Sequence, residues 1–474
     1  MKNGKGKRRT ALWLGVLLLS SLFLKGVLWY DVARQHPEAF LRPDSASYLE
    51  SATALLTLGR FVVAPRLPDE PMLFRTPGYP AFLAVMGLPT GTIDAVVVVF
   101  IQILLHLFIL LLVYWLGVRL WNPAVGILAV ALVALDMPTF AYTLFVLSET
   151  QFALLVLALV VLLVRWSTQP AGGQAKALWT WFCAGLLLAL ATLTRPISYY
   201  LPIPLSLLCM WYGWWHGWSW RQVIVALIIF LCPILILVGG WQLRNFRLTG
   251  INEFSTVTAT NLFLYRGAGV VALRDGIPFE TAQEELRQEI AALPTRKEQV
   301  AYMKTAGFAL LRQSPLLTVR TQIEGALRML LGPGDGALRI LLTGNVTAAS
   351  SGWQLLDAED GPPTSDHAML WHWGVLGVAL GELFVIYSGI AWWLWFALRR
   401  VLANRWQIEF AHVVLWLALS YLIVISAGPE ANSRFRTPIV PLLALYGAAG
   451  WQMAVSKRQN ASDKEAYENL NVVN

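Results

Sequence analysis

Ten stretches of this chain are apolar for long enough to cross the hydrocarbon core of a bilayer, which takes about 17 to 25 residues. They lie at roughly 11–29, 94–118, 123–140, 143–164, 178–194, 197–215, 222–240, 369–397, 409–427 and 437–455. The spacing predicts an all-α polytopic membrane protein. Composition agrees: of 474 residues 57% are hydrophobic and 14% charged, against about one-quarter charged in soluble domains. Lys2, Lys5, Lys7, Arg8 and Arg9 precede the first run as in a signal peptide. That run is longer than a usual signal core, and its far end, Lys25 to Tyr30, lacks a small-x-small cleavage site, so it reads as a retained anchor.

Several chemistries are disfavoured at once. Cys183, Cys209 and Cys232 fall inside the apolar runs without metal-type spacing, so neither a disulfide nor a cysteine metal site is expected. A net charge of +8 would suit nucleic acid in a soluble protein, but here many cations flank spans, where anionic lipid head groups attract them. His367 and His372 are five apart and His106 stands alone, so the histidines read as packed or interfacial. There is no internal repeat, P-loop, dinucleotide fingerprint, zinc-protease motif or Gly-x-Ser-x-Gly.

With a cytoplasmic N-terminus and ten alternating spans, Arg119, Arg165, Lys176, Arg221, Arg399, Arg400 and Arg405 fall in short inner loops, with Lys457 and Arg458 following the last span. This satisfies the positive-inside bias and predicts that both termini are cytoplasmic. Trp211, Tyr212, Trp214, Trp215, Trp218 and Trp220 read as interface anchors on that side. Residues 1–240 then form an N-terminal membrane module with a first outer loop at 30–93. Residues 241–368 form an outer helical cap, 369–456 the C-terminal spans, and 457–474 a polar tail without regular structure.

The first loop carries an amphipathic helix from Ser45 to Leu58, lying on the membrane surface, and a second helical piece near Tyr79–Met86 after a Thr-Pro-Gly turn. Three helical patterns occupy the cap, at Pro278–Ala292, Arg296–Arg312 and Pro315–Leu331. The segments 332–336 and Ala348–Gly352 read as loops.

Cations in short outer loops run against the topological bias, which makes them informative. Arg75, Arg195, Arg244, Arg434 and Arg436 all stand at outer span ends, and the guanidinium fork suits phosphate oxygens. Each could instead snorkel to the head groups or pair with a neighbouring carboxylate; Lys25 is assigned to snorkelling. The outer carboxylates are Asp44, Asp136 and Glu149. Asp44 or Ser45 could cap the surface helix, with Ser47 and Glu50 as a capping box, and Glu149 could merely favour a helix dipole. Asp136 reads as a loop residue.

Taken in order, these motifs resemble the GT-C glycosyltransferases, in particular the bacterial branch similar to protein O-mannosyltransferases and the lipid A aminoarabinose transferase. The residues that carry the likeness are Asp44 with Tyr48, the run Arg75-Thr76-Pro77-Gly78-Tyr79-Pro80, Leu147-Ser148-Glu149, Thr194-Arg195-Pro196, Trp241 with Arg244-Asn245, and Ser433-Arg434-Phe435-Arg436-Thr437-Pro438. The resemblance implies transfer of a sugar from a polyprenyl-phosphate donor to a lipid, glycan or protein acceptor at the outer face of the plasma membrane, with inversion. It makes Asp44 the general base and Glu149 the second acidic residue. Tyr48, Arg75, Tyr79, Arg195, Arg244 and Arg434 become substrate-binding residues. Asp44-Ser45 stands where the family often has an acidic pair, so no metal ligand is assigned, although a divalent cation remains compatible. No other cofactor is implied. Two other classes compete: a flippase or transporter for an anionic lipid-linked glycan, which would want charged groups deep in its spans, and a non-catalytic assembly protein.

Overall fold

The computed structural model describes residues 2–168, 174–344, 366–403 and 409–471. It is helical throughout, with one isolated antiparallel bridge, Val62 to Pro71, and no strand among the described residues. A helix stands at each of the ten expected places: Lys2–Gln35, Ala95–Leu120, Pro123–Leu135, Glu149–Ser167, Gln174–Thr194, Pro202–Trp215, Trp220–Thr249, Asp366–Leu402, Phe410–Ser426 and Val440–Asn471. Six are long and apolar enough to cross a membrane by length and composition, and Pro123–Leu135 and Phe410–Ser426 are shorter apolar helices. This is an all-α, multi-pass membrane protein.

Backbones approach closely where the spans cross at glycines. A Cβ on Gly450 would lie 1.8 Å from the Gly389 carbonyl oxygen, and one on Gly185 2.0 Å from that of Phe230. Lipid tails are as apolar as leucine, so span association depends on such close contact rather than on water exclusion.

Several boundaries differ from the sequence reading for local reasons. The third span stops at Leu135, because Asp136 ends it and caps the six-residue helix Met137–Tyr142 by accepting from the Thr139 N–H at 2.8 Å. The fourth begins only at Glu149, after the irregular segment 143–148. The seventh, expected to end at 240, passes through one wide turn at Leu235–Gly239 and continues to Thr249. The tail, expected to lack regular structure, extends the last helix to Asn471; Ala461, Lys464, Glu465, Ala466 and Leu470 are strong helix formers. The expected loop at Ala348–Gly352 lies outside the described residues.

The first loop contains helices Pro43–Leu58 and Gly78–Gly87, as expected. The three cap helices form at Phe279–Ala291, Arg296–Gln313 and Pro315–Leu331, and Asp335–Thr343 follows them, so the 332–336 loop is shorter than read. The cap shares its core with the first loop: Leu73 packs with Ile251, Phe263, Leu286 and Met303. A second wide turn, Asn261–Gly267, enters this core.

Lys25 does not snorkel. It is fully buried, its Nζ 3.2 Å from His106 Nδ1 and 3.3 Å from Thr143 Oγ1, over the ring of Phe140. The short helix after Asp136 folds across the first span and encloses it. His106 is accordingly a partner of Lys25, not solitary. Glu382, in the eighth span, is also buried, so ionisable groups are not confined to span ends.

Candidate functional site

Two docking interactions bring the first loop to the rest of the site. Ser45, three residues into its helix, accepts from the Arg42 N–H at 2.9 Å and donates to the Val146 carbonyl at 2.8 Å. Tyr48 Oη meets Ser148 Oγ at 3.2 Å. The helix is thereby fixed on the segment that leads into Glu149. Asp44 is not its cap, since the helix starts at Pro43 with Arg42 as N-cap, and the Ser47–Glu50 capping box does not form.

The second interaction explains the Arg-Thr-Pro-Gly run. Thr76 Oγ1 donates to the Thr194 carbonyl at 3.2 Å, and a Cβ on Gly78 would lie 2.7 Å from the backbone of Leu193 and Thr194. Only glycine allows that approach, which sets Arg75 beside the end of the helix that leads into Arg195.

The result is an unbroken row of alternating charges. Arg75 Nη2 donates to Asp44 Oδ1 at 2.6 Å, and Arg434 Nη1 donates to Asp44 Oδ2 at 2.8 Å. Arg434 Nε and Arg195 Nη1 both donate to Glu149 Oε1 at 2.5 Å. Arg75 also lies over the Tyr48 ring and donates from Nε to Ser47 Oγ, so Asp44, Ser47 and Tyr48 at helical spacing form its cradle. Three guanidiniums face two carboxylates, which leaves the row one positive charge in excess.

Burial would raise the Asp44 carboxyl, but Arg434 and Arg75 outweigh it and hold the group below the usual carboxylate range. Desolvation likewise opposes charge on Arg434, yet Glu149 and Asp44 keep its proton bound more tightly than usual. Glu149 is fully buried, whereas the Asp44 side chain is 37% exposed.

Arg75, Arg195 and Tyr48 line a cavity of about 340 Å³ between the first loop, the cap and the segment after the ninth span. Its far wall carries Arg266, Lys304, Glu253 and Glu430, with Lys304 paired to Glu253 at 2.5 Å. Sequence reasoning missed these four. Glu430 stands three residues before the run Ser433–Pro438, and the cap residues are ordinary surface charges by pattern.

Not every expected site residue joins this group. Arg244 donates to the Phe61 carbonyl at 2.5 Å and the Met72 carbonyl at 3.1 Å, with its guanidinium over Trp241. It braces the first loop. Tyr79 is fully buried, donating to Gln102 at 2.7 Å and packing edge-on against Tyr48; it supports the cradle without lining the cavity. Arg436 is buried too, bonded to Asp136 at 2.9 Å and to the carbonyls of Leu330 and Gly332. Asp136 is therefore half of a buried ion pair, not a free loop residue.

The carboxylates of the row are committed mainly to guanidiniums, with Glu149 Oε2 the one oxygen left without a hydrogen-bond partner. Both Asp44 oxygens and Glu149 Oε1 already accept from guanidiniums, and no group of three or more His, Cys, Asp or Glu is placed to hold a metal among the described residues.

The sequence matches no protein-family profile and no curated protein. The fold does match solved structures. The archaeal oligosaccharyltransferase AglB from Archaeoglobus fulgidus, in complex with an inhibitory peptide and a dolichol-phosphate, superposes with a TM-score of 0.55 at 14% identity, over 98% of this chain and 52% of that one. Its apo form gives 0.52 at 13% identity, over 96% and 52%. ArnT from Cupriavidus metallidurans bound to undecaprenyl phosphate gives 0.36 at 14% identity, over 91% and 77%. The chain thus shares the fold of the archaeal oligosaccharyltransferase, and it spans about half that protein's length.

Proposed function

We propose that this protein is an integral-membrane inverting glycosyltransferase that moves a sugar from a polyprenyl-phosphate donor to a lipid, glycan or protein acceptor at the outer face of the membrane. The observation that carries the reading is the meeting of Arg75, Arg195 and Arg434, from three distant parts of the chain, on Asp44 and Glu149 beside a cavity. A row with excess positive charge, held rigid by its own carboxylates, is preorganised for a phosphate that gains charge as it leaves. Phosphate is a good leaving group once so stabilised, and a strong general acid is not required. In this reading Asp44 and Glu149 orient the guanidiniums, and Tyr48 and Tyr79 support them. Both termini are cytoplasmic, as the inner-loop cations favour. The fold likeness supports the class, and the identities of donor sugar and acceptor rest with the cavity.

A transporter for an anionic lipid-linked glycan is the second reading, favoured by the buried Lys25, His106 and Glu382 within the spans. None of the three lines the charged cavity, which favours chemistry at the row. The deciding experiment incubates the purified protein in lipid with a panel of undecaprenyl-phosphate hexoses and pentoses and follows donor consumption by mass spectrometry. Wild type consumes one of them and Asp44→Asn loses about 10²–10³-fold. Equal turnover by that variant would remove Asp44 from the reaction, and translocation without consumption would favour the transporter.

A further inference from the structure

Resting on the glycosyltransferase reading, we infer that Glu253, Lys304 and Phe308 form the sugar subsite of the cavity, and that it takes a single uncharged sugar carried on a lipid monophosphate. All three line the cavity whose other side carries Arg75 and Arg195. Lys304 Nζ donates to Glu253 Oε1 at 2.5 Å, which uses one of the three ammonium donors and one of the two carboxylate oxygens. The Lys304 side chain stays 42% exposed and that of Glu253 19%. The pair thus presents donors and an acceptor side by side, as two neighbouring sugar hydroxyls require.

Glu253 is held beside the backbone that carries Arg75. The buried Asn245 donates from Nδ2 to the carbonyls of Glu253 and Phe254 at 3.0 and 3.1 Å, which fixes this segment to the end of the seventh span. Two residues on, Ser255 Oγ donates to the Phe74 carbonyl at 2.6 Å, and the Thr256 N–H donates to that of Leu73 at 3.0 Å. Phe74 precedes Arg75, whose guanidinium carbon lies 4.8 Å from the centre of the Phe74 ring. The Cα atoms of Glu253 and Ser255 are at most about 7 Å apart, so the carboxylate and the guanidinium flank one contact between the two loops.

Lys304 and Phe308 are four apart on the cap helix Arg296–Gln313 and share one face. Phe308 is 62% exposed although it lines the cavity. An aromatic ring left bare beside a charged pair suits a sugar, which has an apolar C–H face and an edge of hydroxyls. Small-molecule sites have this make-up, an apolar lining with a few placed polar groups. Without the cavity and the ring, Glu253 and Lys304 would be an ordinary surface ion pair.

Size and charge set the class of substrate. The cavity of about 340 Å³ stands at the low end of small-molecule pockets, about 300–1,000 Å³, which suits one sugar with its phosphate rather than an oligosaccharide. On the far wall Lys304 pairs with Glu253, and Arg266 lies 3.6 Å from Glu430, so these four residues carry no net charge. The row keeps one positive charge in excess. A phosphodiester carries a single negative charge and a pyrophosphate diester carries two. A monophosphate link to a neutral sugar therefore leaves the cavity balanced. An ammonium on the sugar would crowd Lys304, and a carboxylate would crowd Glu253, each a like-charge clash.

The test measures binding to the purified protein in lipid of bare undecaprenyl phosphate and of its glucose, mannose, aminoarabinose and glucuronic acid conjugates, with donor consumption followed by mass spectrometry. Wild type is expected to consume a neutral-sugar conjugate in preference to the two charged ones. Glu253→Gln and Phe308→Ala are expected to weaken binding of that conjugate about 10- to 100-fold while bare undecaprenyl phosphate binds as in wild type. A pair that only staples the cap would move both lipids together. Lys304→Gln leaves Glu253 uncompensated and shifts preference toward the cationic aminoarabinose conjugate. Wild-type preference for a charged sugar, or equal effects of Glu253→Gln on bare and glycosylated lipid, overturns the subsite and leaves the transferase reading intact. Consumption of no donor by wild type overturns that reading and the subsite with it. Should Glu253→Gln fail to fold, Phe308→Ala and Lys304→Gln carry the test: equal effects on both lipids in the first, with unchanged preference in the second, overturn the subsite.

Discussion

Arg434 and Arg436 leave the same turn, Ser433–Arg436, and bond different carboxylates: Arg434 reaches Asp44 and Glu149 at the cavity side, and Arg436 reaches buried Asp136. One turn thus carries a site residue and an anchor. Arg436→Ala strands a fully buried aspartate and is expected to cost about 3–5 kcal/mol. Arg434→Ala leaves Asp44 with Arg75 and Glu149 with Arg195, so its stability cost is smaller and its loss falls on donor binding. Unfolding in detergent, paired with undecaprenyl-phosphate binding, separates the two; equal stability losses would contradict the division.

Much of this was legible in the sequence because membrane insertion writes itself in long apolar runs, and because arginines in short outer loops break a topological bias. Asp44, Glu149, Arg75, Arg195 and Arg434 stood out for those reasons and meet in the row. Arg244 and Arg436 carried the same signal but are consumed by backbone carbonyls and a buried aspartate, and no local pattern distinguishes a guanidinium facing a cavity from one bracing a loop. The enclosure of Lys25 depends on a short helix folding across it, which is tertiary. Glu430 and Arg266 become visible only once the cap closes on the ninth span.

The arginines should therefore separate by function. Arg75→Ala or Arg195→Ala is expected to weaken undecaprenyl-phosphate binding about 10- to 100-fold, the equivalent of one or more lost charged hydrogen bonds. Arg244→Ala instead frees the carbonyls of Phe61 and Met72 and is expected to cost about 1.5–3 kcal/mol, with faster hydrogen exchange across residues 61–72. Arg165→Ala, on the opposite side in the proposed orientation, is the control. Binding losses of the same size in all four variants would reduce the row to interface anchoring.

Asp44 also sets a pH window. Its folded value lies below the ordinary one, so as pH falls the unfolded chain takes up the proton first, near 3.9. The stabilisation from its two ion pairs is complete above about pH 5 and is lost as pH falls through 3.9 toward the folded value. The difference in thermal midpoint between wild type and Asp44→Asn should be flat from about pH 8 to 5 and narrow below about 4. A difference that already narrows near neutral pH would mean that Arg434 and Arg75 do not hold the carboxylate as described.

The same row predicts the response to chelators. Arg434 supplies, between Asp44 and Glu149, the bridging positive charge that a divalent ion would otherwise provide, and its planar fork bonds one oxygen of each carboxylate. Donor turnover should be unchanged by excess chelator and unstimulated by added magnesium or manganese. Arg434→Ala leaves each carboxylate one guanidinium and a vacant lone pair, a donor set that oxygen-seeking cations can enter. Turnover in that variant, lowered at the outset, is expected to respond partly to added manganese. A wild-type enzyme silenced by chelator and restored by manganese would place a metal where Arg434 now stands and would require the turn Ser433–Arg436 to move on donor binding.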